Sequence, residues 1–312
     1  CVGILVGLAG QVWAATYVVD QAAPGAADTN MGTEAKPFKT VQHAADVAKP
    51  GDTVCVMAGK YDERISVKAS GAAGQPITFQ SMPRRSAVVK GFELQGSHIH
   101  VVGFEITADK PAVAVQLDAE HCQVLDNYIH DMTIGICGTY GKEGADRKDR
   151  DYSAVAHNRI AYNKVYHNEY GFMLGGNDWL VENNEVSRLA MVSPVKNYSD
   201  CDYTRFFGKG CVQRYNYYPG TSTAETKVAH VDGIQTFMNN GGMAQDVLIE
   251  FNMCCDFGQG AMVESAPYIG SVRNWTWRGN IYSSNLPTYK GAWGLDVIQT
   301  PDVTIENNTF AG

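Results

Sequence analysis

Between His230 and Gln235 the chain places an imidazole, a carboxylate and a carboxamide in one short run, His230-Val231-Asp232-Gly233-Ile234-Gln235. Those groups suffice to move a proton. Asp232 is a candidate acid or base, His230 a proton shuttle or substrate-orienting group, and Gln235 a partner for sugar hydroxyls. Asp232-Gly233 also reads more plainly, as a turn into a strand with the carboxylate capping the backbone. Two more candidate catalytic carboxylates follow, Glu264 in Met262-Val263-Glu264-Ser265 and Asp296 in Gly294-Leu295-Asp296-Val297. Carboxyls roughly 5–5.5 Å apart suit a retaining glycosidase, and roughly 6.5–9.5 Å an inverting one.

The stretch 190–210 reads as a large inserted loop carrying Asp200, Asp202, Tyr203 and Arg205. Asp200 and Asp202 are candidate ligands for Ca²⁺, which takes hard oxygen donors. A solvated loop is the plainer reading. Arg205, Gln235, Tyr170 and Trp293 are the candidate substrate-binding residues. Exposed aromatics at Tyr215, Tyr217, Tyr218, Tyr289 and Trp293 suit stacking on sugar rings or on one another. The charged run 139–150 reads as a solvated loop or a lid.

These residues need a scaffold, and an asparagine repeat supplies it. An apolar–polar–apolar unit with Asn at one phase recurs at Asn127, Asn163, Asn184, Asn216, Asn252, Asn280 and Asn308. Alternation at period two means strand, and self-similarity along the chain means a solenoid. A buried ladder of these Asn side chains is expected. A second strand led by glycine follows most units, at Gly135, Gly171, Gly233, Gly260 and Gly294. Counting from the glycine, Cys137, Met173, Gln235, Met262 and Asp296 form one outward column. None of the basic candidates Arg205, Lys209, Lys227 and Lys290 falls in it. The expected fold is all-β, a right-handed parallel β-helix with a short N-terminal capping helix. That helix runs through Ala44, Ala45 and Val47, with Thr40 as its N-cap. An antiparallel sandwich would lack an in-phase ladder.

The segments Gly51-Asp52-Thr53-Val54, Gly59-Lys60-Tyr61 and Gly74-Gln75-Pro76-Ile77-Thr78-Phe79 carry a resemblance. With the run from Gly32 onward, they look like the opening of pectate-lyase-like β-helix proteins. The close match covers roughly residues 17–80, and the rest resembles that superfamily in repeat style. The resemblance implies a secreted enzyme cleaving a polysaccharide, uronate-containing chains among the candidates, in a groove on one face. It places a lyase slightly ahead of a glycoside hydrolase. In this fold the lyase base is commonly Lys or Arg, so a column without either counts against simple transfer of that mechanism. A non-catalytic glycan-binding or adhesin surface is the remaining class.

The apolar run from Val2 to Gly10, followed by Ala14-Ala15, reads as the remnant of a secretory signal over 1–15. Residues 16–312 then form a single β-helix domain, expected to continue past the present C-terminus. No other stretch suits a bilayer span, so no stable membrane insertion is expected. The expected protein is extracellular or periplasmic, and monomeric. A formal net charge of −8 argues against nucleic acid as a partner. Eight cysteines are few for this length. Cys201 and Cys211 are a candidate disulfide, while Cys254-Cys255 read as packed or free.

Overall fold

The computed structural model describes residues 14–138, 152–192, 200–227, 229–237, 243–285 and 293–311. Within them every paired strand runs parallel to its neighbours. The chain coils as a parallel β-helix, each coil adding one rung to three stacked strand columns. Two columns flank the asparagine turn. One passes through Gln123–Leu125, Arg159–Ala161, Leu180–Glu182 and Val212–Arg214. The other passes through Tyr128–His130, Lys164–Tyr166, Glu185–Ser187 and Tyr217–Gly220. The third carries the candidate site. It stacks Ile134–Gly138, Tyr170–Asn177, Asp200–Lys209, His230–Thr236, Gln259–Glu264 and Asp296–Ile298.

The expected ladder is present. Each Asn Oδ1 accepts from both the backbone N–H and the side-chain Nδ2 of the Asn one rung earlier. The chain of bonds runs Asn127 to Asn163, Asn184, Asn216, Asn252, Asn280 and Asn308 at 2.9–3.0 Å. Six of these side chains are buried, and Asn308 at the end of the stack is half-buried. The residue before each Asn sits at positive φ: Asp126, Tyr162, Asn183, Tyr215, Phe251, Gly279 and Asn307. This left-handed residue turns the chain and aims the amide inward.

Inward residues fill the coil. Val124, Ile160, Val181, Ile249 and Trp277 lie in one register column and are essentially solvent-free. The helix Val41–Val47 is capped by Thr40, whose Oγ1 accepts from the His43 N–H at 3.2 Å. Glu63 accepts from the Val41 and Gln42 N–H groups, satisfying two more donors of the first turn. The helix buries Val41, Ala44 and Ala45. Residues 1–13 of the expected signal segment, with Leu5 and Leu8, lie outside the described residues. Ala15 is already tied in, since its N–H donates to Asp52 Oδ1 at 2.7 Å.

Cys201 and Cys211 do not pair with each other as expected, and each is a free thiol, as are Cys254 and Cys255. The segment between Cys201 and Cys211 is one extended strand, Asp200–Lys209. At about 3.3 Å per residue this holds the two far beyond the roughly 7 Å that a disulfide spans. No helix among the described residues is long and apolar enough to cross a membrane.

Candidate functional site

The stretch 190–210 is not a single loop. Residues 193–199 lie outside the described residues, and Asp200–Lys209 is a full rung of the third column. Met173 pairs with Arg205, and Arg205 with Gln235. The outward column therefore runs Glu93, Gln116, Cys137, Met173, Arg205, Gln235, Met262, Asp296. From Cys137 to Asp296 the expected column is correct in every member and lacked one. The member missing from that span is the cation Arg205.

Glycine counting skipped this rung because Tyr203 occupies the glycine position. At Gly233 a Cβ would come within 2.1 Å of Gly260 O, and at Gly171 within 2.4 Å of Tyr203 O. Backbones approach closely there, so glycine leads most rungs. Tyr203 instead sends its ring into the core, stacked on Tyr218 at 5.2 Å. A sequence signal existed. Asp202-Tyr203-Thr204-Arg205 and Asp232-Gly233-Ile234-Gln235 share an Asp three residues before the outward side chain.

Asp202 and Asp232 are register partners on adjacent rungs, about 4.8 Å apart along the axis. Both are fully buried. Arg205 Nη2 lies 2.7 Å from Asp200 Oδ2 and 2.5 Å from Asp202 Oδ2. The guanidinium also lies over the rings of Tyr170, at 5.6 Å, and Phe237, at 5.2 Å. Gln235 Nε2 donates to Asp232 Oδ2 at 2.9 Å. On the solvent side, His230 Nδ1 is 3.7 Å from Asp200 Oδ1, with the imidazole exposed and Asp200 half-buried.

Burial pushes the Asp202 carboxyl upward from the ordinary range against the pull of Arg205. Burial pushes Asp232 up as well, reinforced by the charges of Asp202 and Asp200. The Tyr170 hydroxyl is raised by burial and by Asp202. Such a cluster holds a proton at a pH where a free carboxylate would have lost it.

The structure thus gathers His230, Asp232, Gln235, Asp200, Asp202, Arg205 and Tyr170. It does not gather Glu264, Asp296 and Trp293. Glu264 ends its strand two residues beyond Met262 and pairs with Ile298. Asp296 is two rungs from Gln235, with Met262 between. Among the described residues no hydrogen bond or ion pair joins Glu264 or Asp296 to the cluster. The Trp293 carbonyl accepts from the Gly260 N–H, three rungs from Arg205. Tyr218 is a core residue, while Tyr215 and Tyr217 are exposed on another face. Tyr289, Lys290 and 139–150 lie outside the described residues. The segment after Asn216 continues as strand Tyr217–Gly220 and the short helix Thr223–Thr226 before His230 begins the next rung.

The expected Ca²⁺ ligands fit a cation poorly. Asp200 and Asp202 both face the Arg205 guanidinium, which already occupies the space where a divalent ion would sit. Among the described residues no group of three or more ligating side chains is arranged for a metal.

Residues 17–178 match the family model described as Pel9A-like, right handed beta helix region, and the chain belongs to that family. Two relatives are similar in sequence. The uncharacterized protein YwoF of Bacillus subtilis strain 168 is 43% identical over 68 residues, 22% of this chain and 14% of that protein. Pectate lyase PEL9 of Emericella nidulans is 28% identical over 155 residues, 49% of this chain and 34% of that protein. The aligned part of the chain thus spans about a third or less of each relative's length. Among solved structures, a rhamnogalacturonan lyase superposes with a TM-score of 0.58 at 14% identity, covering 94% of this chain and 87% of that one. An alginate lyase from Paenibacillus sp. str. FPU-7 gives 0.57 at 16%, covering 86% and 96%. A GH136 lacto-N-biosidase from Eubacterium ramulus gives 0.51 at 15%, covering 95% and 67%. At such identities these likenesses show the fold alone.

Proposed function

We propose that this chain is the β-helix of a secreted enzyme that cleaves a polysaccharide, with β-elimination at a uronate-containing chain ahead of hydrolysis. One observation carries the reading. A solvent-facing His230–Asp200 pair rests on a buried cluster of Asp202, Asp232 and Arg205, all on one outward face. β-Elimination removes a proton from the carbon beside a carboxylate, forms a carbon–carbon double bond and expels the glycosidic oxygen, which takes up a proton. Neutral His230 can accept the first proton, with Asp200 holding its ring. Arg205 places positive charge beneath the face where a carboxylate's charge builds. The buried acids hold a proton beside it. The names of PEL9, of the rhamnogalacturonan lyase and of the alginate lyase agree with a lyase.

Hydrolysis is the second reading, favoured by a different observation. Asp202 and Asp232 sit one rung apart, close to the separation of a retaining pair. A screen of polygalacturonate, rhamnogalacturonan and alginate, with and without chelator, separates the readings. An unsaturated uronate absorbing in the near-ultraviolet marks the lyase. New reducing ends without that absorbance mark the hydrolase. Binding with neither marks a glycan-binding surface and ends the enzymatic proposal.

A further inference from the structure

We propose that the corner of the β-helix between the first two strand columns carries a second sugar-binding site, in which Arg84, Arg85, Lys164 and Tyr162 take up an acidic sugar unit away from the cleavage face. The ligand class, a uronate-bearing chain, rests on the function proposed above. The geometry of the corner does not depend on any turnover at the third column.

A rigid arc presents the two arginines. The start of Ile77–Val89 pairs with Ile99–Val102 and its end with Glu105–Ile106, so the residues between turn the corner. Buried Ser81 ties that arc together. Its Oγ donates to Pro83 O at 2.8 Å and accepts from the Ser86 and Ala87 N–H groups at 3.2 and 2.9 Å. Arg84 and Arg85 reach from the arc over Gly103 to Asp126, two rungs on. A Cβ at Gly103 would lie 3.6 Å from Arg84 Cγ, so glycine keeps that path clear. Arg84 Nε and Nη2 donate to the Asp126 carboxylate. Arg85 Nη2 donates to Asp126 Oδ1 and its Nε to Asp126 O, both at 3.0 Å. Two guanidinia thus share one carboxylate, and Nη1 of each makes no hydrogen bond among the described residues. Burial and the charge of Arg84 hold the Arg85 pKa below its ordinary value in spite of Asp126. A second anion at the pair relieves that crowding.

Arg84, Arg85, Asp126, Tyr162, Lys164 and Asn183 line an open cleft of about 590 Å³, within the roughly 300–1,000 Å³ of small-molecule sites. Lys164 stands on the rung after Asp126, its Nζ 3.3 Å from Glu185 Oε1. Glu105, the other acid on this side, lies 3.3 Å from His130 Nε2. Tyr162 decides the ligand class. Its backbone is left-handed, at φ 61°, yet its side chain is 53% exposed. Other rungs fill that place with Asp126, Asn183, Gly279 and Asn307, which tolerate the conformation. Tyr215 and Phe251 also occupy it, but they stack on each other at 5.5 Å. Tyr162 has no aromatic partner among the described residues, and the Arg159 guanidinium lies 5.7 Å from its ring centre. The ring is strained into place without filling the core. An exposed ring beside a guanidinium pair and an ammonium suits the apolar face of a sugar together with its carboxylate.

The test reads the corner directly, through the arginine side-chain Nε–H resonances of the folded full chain. Arg84→Lys and Arg85→Lys assign the two signals. Short galacturonate or alginate oligomers should shift both, and neutral dextran oligomers should shift neither. In Arg85→Gln the midpoint read at Arg84 should weaken about tenfold or more. Tyr162→Ala should weaken it roughly two- to tenfold. Arg188→Gln removes an arginine paired with Glu225 at another corner and should change nothing. Unmoved signals with both acidic oligomers would overturn the proposal. So would equal shifts with dextran oligomers, equal weakening in Arg188→Gln, or an oligodeoxynucleotide held as tightly as the uronate chains. Shifts at Arg84 and Arg85 by oligomers of a polymer that is never cleaved would sink the proposed function and leave this site standing. Cleavage with both signals unmoved would do the reverse.

Discussion

Arg205 and Gln235 are register partners on adjacent rungs, and each holds a buried aspartate three residues before it in the chain. The guanidinium holds Asp202 and the carboxamide holds Asp232. The site is thus one motif repeated on two rungs, with a charged donor on the first and a neutral donor on the second. That asymmetry leaves Asp202 beside a positive charge and Asp232 with a neutral donor on one oxygen; among the described residues no hydrogen bond reaches either oxygen of Asp202 or Oδ1 of Asp232.

His230→Gln should lose roughly 10²–10⁴ in turnover on whichever polysaccharide is cleaved, with the fold intact. His230 is exposed, with Nδ1 3.7 Å from Asp200 Oδ1. Unchanged cleavage by a correctly folded His230→Gln protein would remove the imidazole from the chemistry.

The pair should leave a mark on stability. Burial lifts the Asp202 pKa from 3.8 to about 7. A carboxyl raised in the folded state contributes stability that is full below the unfolded value and is lost as pH rises through the folded one. Wild type should therefore weaken relative to Asp202→Asn between pH 3.8 and about 7, by at most roughly 1.4 kcal/mol per pH unit. Carboxylates with lowered values, such as Asp28, Asp131 and Glu182, act in the opposite sense and cancel in that difference. Parallel urea-denaturation curves at the two ends of the window, showing a constant gap, would refute it.

Gly233→Ala should destabilise by about 1–3 kcal/mol, because the new methyl meets the Gly260 carbonyl at 2.1 Å and Cys254 Sγ at 2.9 Å. The rungs carrying Asp232 and Gln259 would have to part. A thermal midpoint equal to wild type would show that the rungs tolerate more separation than the structure allows.

The architecture was legible because its signals are local. An Asn at one phase with a left-handed residue before it recurs at each rung from Asn127 to Asn308, and alternation marks the strands on either side. Half of the site was legible for the same reason, since Gly233 fixed the phase of Asp232 and Gln235. The other half was not, because the rung of Asp202 and Arg205 replaces its glycine with Tyr203, whose ring the core absorbs beside Tyr218. Without that marker the strand read as an inserted loop. Glu264 and Asp296 lie apart from the cluster for two geometric reasons. Glu264 is on the next rung but two residues farther along its strand than Met262, and Asp296 keeps the column but stands two rungs from Gln235.

The ladder itself makes the last prediction. Asn216 sits in the middle of the stack and is 1% exposed. Its Oδ1 accepts from the Asn184 N–H and from Asn184 Nδ2, and its Nδ2 donates to Val181 O and to Asn252 Oδ1. Asn216→Ala removes that acceptor and strands a buried backbone N–H at Asn184, at a cost of about 1–3 kcal/mol. Asn216→Asp keeps an acceptor but brings a charge into the stack and removes the donors to Val181 and Asn252. It should therefore be worse than Ala at neutral pH and recover as the aspartate protonates in acid. Asn308, half-buried with no described rung beyond it, should tolerate the same alanine change better. Denaturant midpoints for the three variants check the order. Equal losses at Asn216 and Asn308 would mean that the stack stabilises through each local turn alone, not through bonds carried from rung to rung.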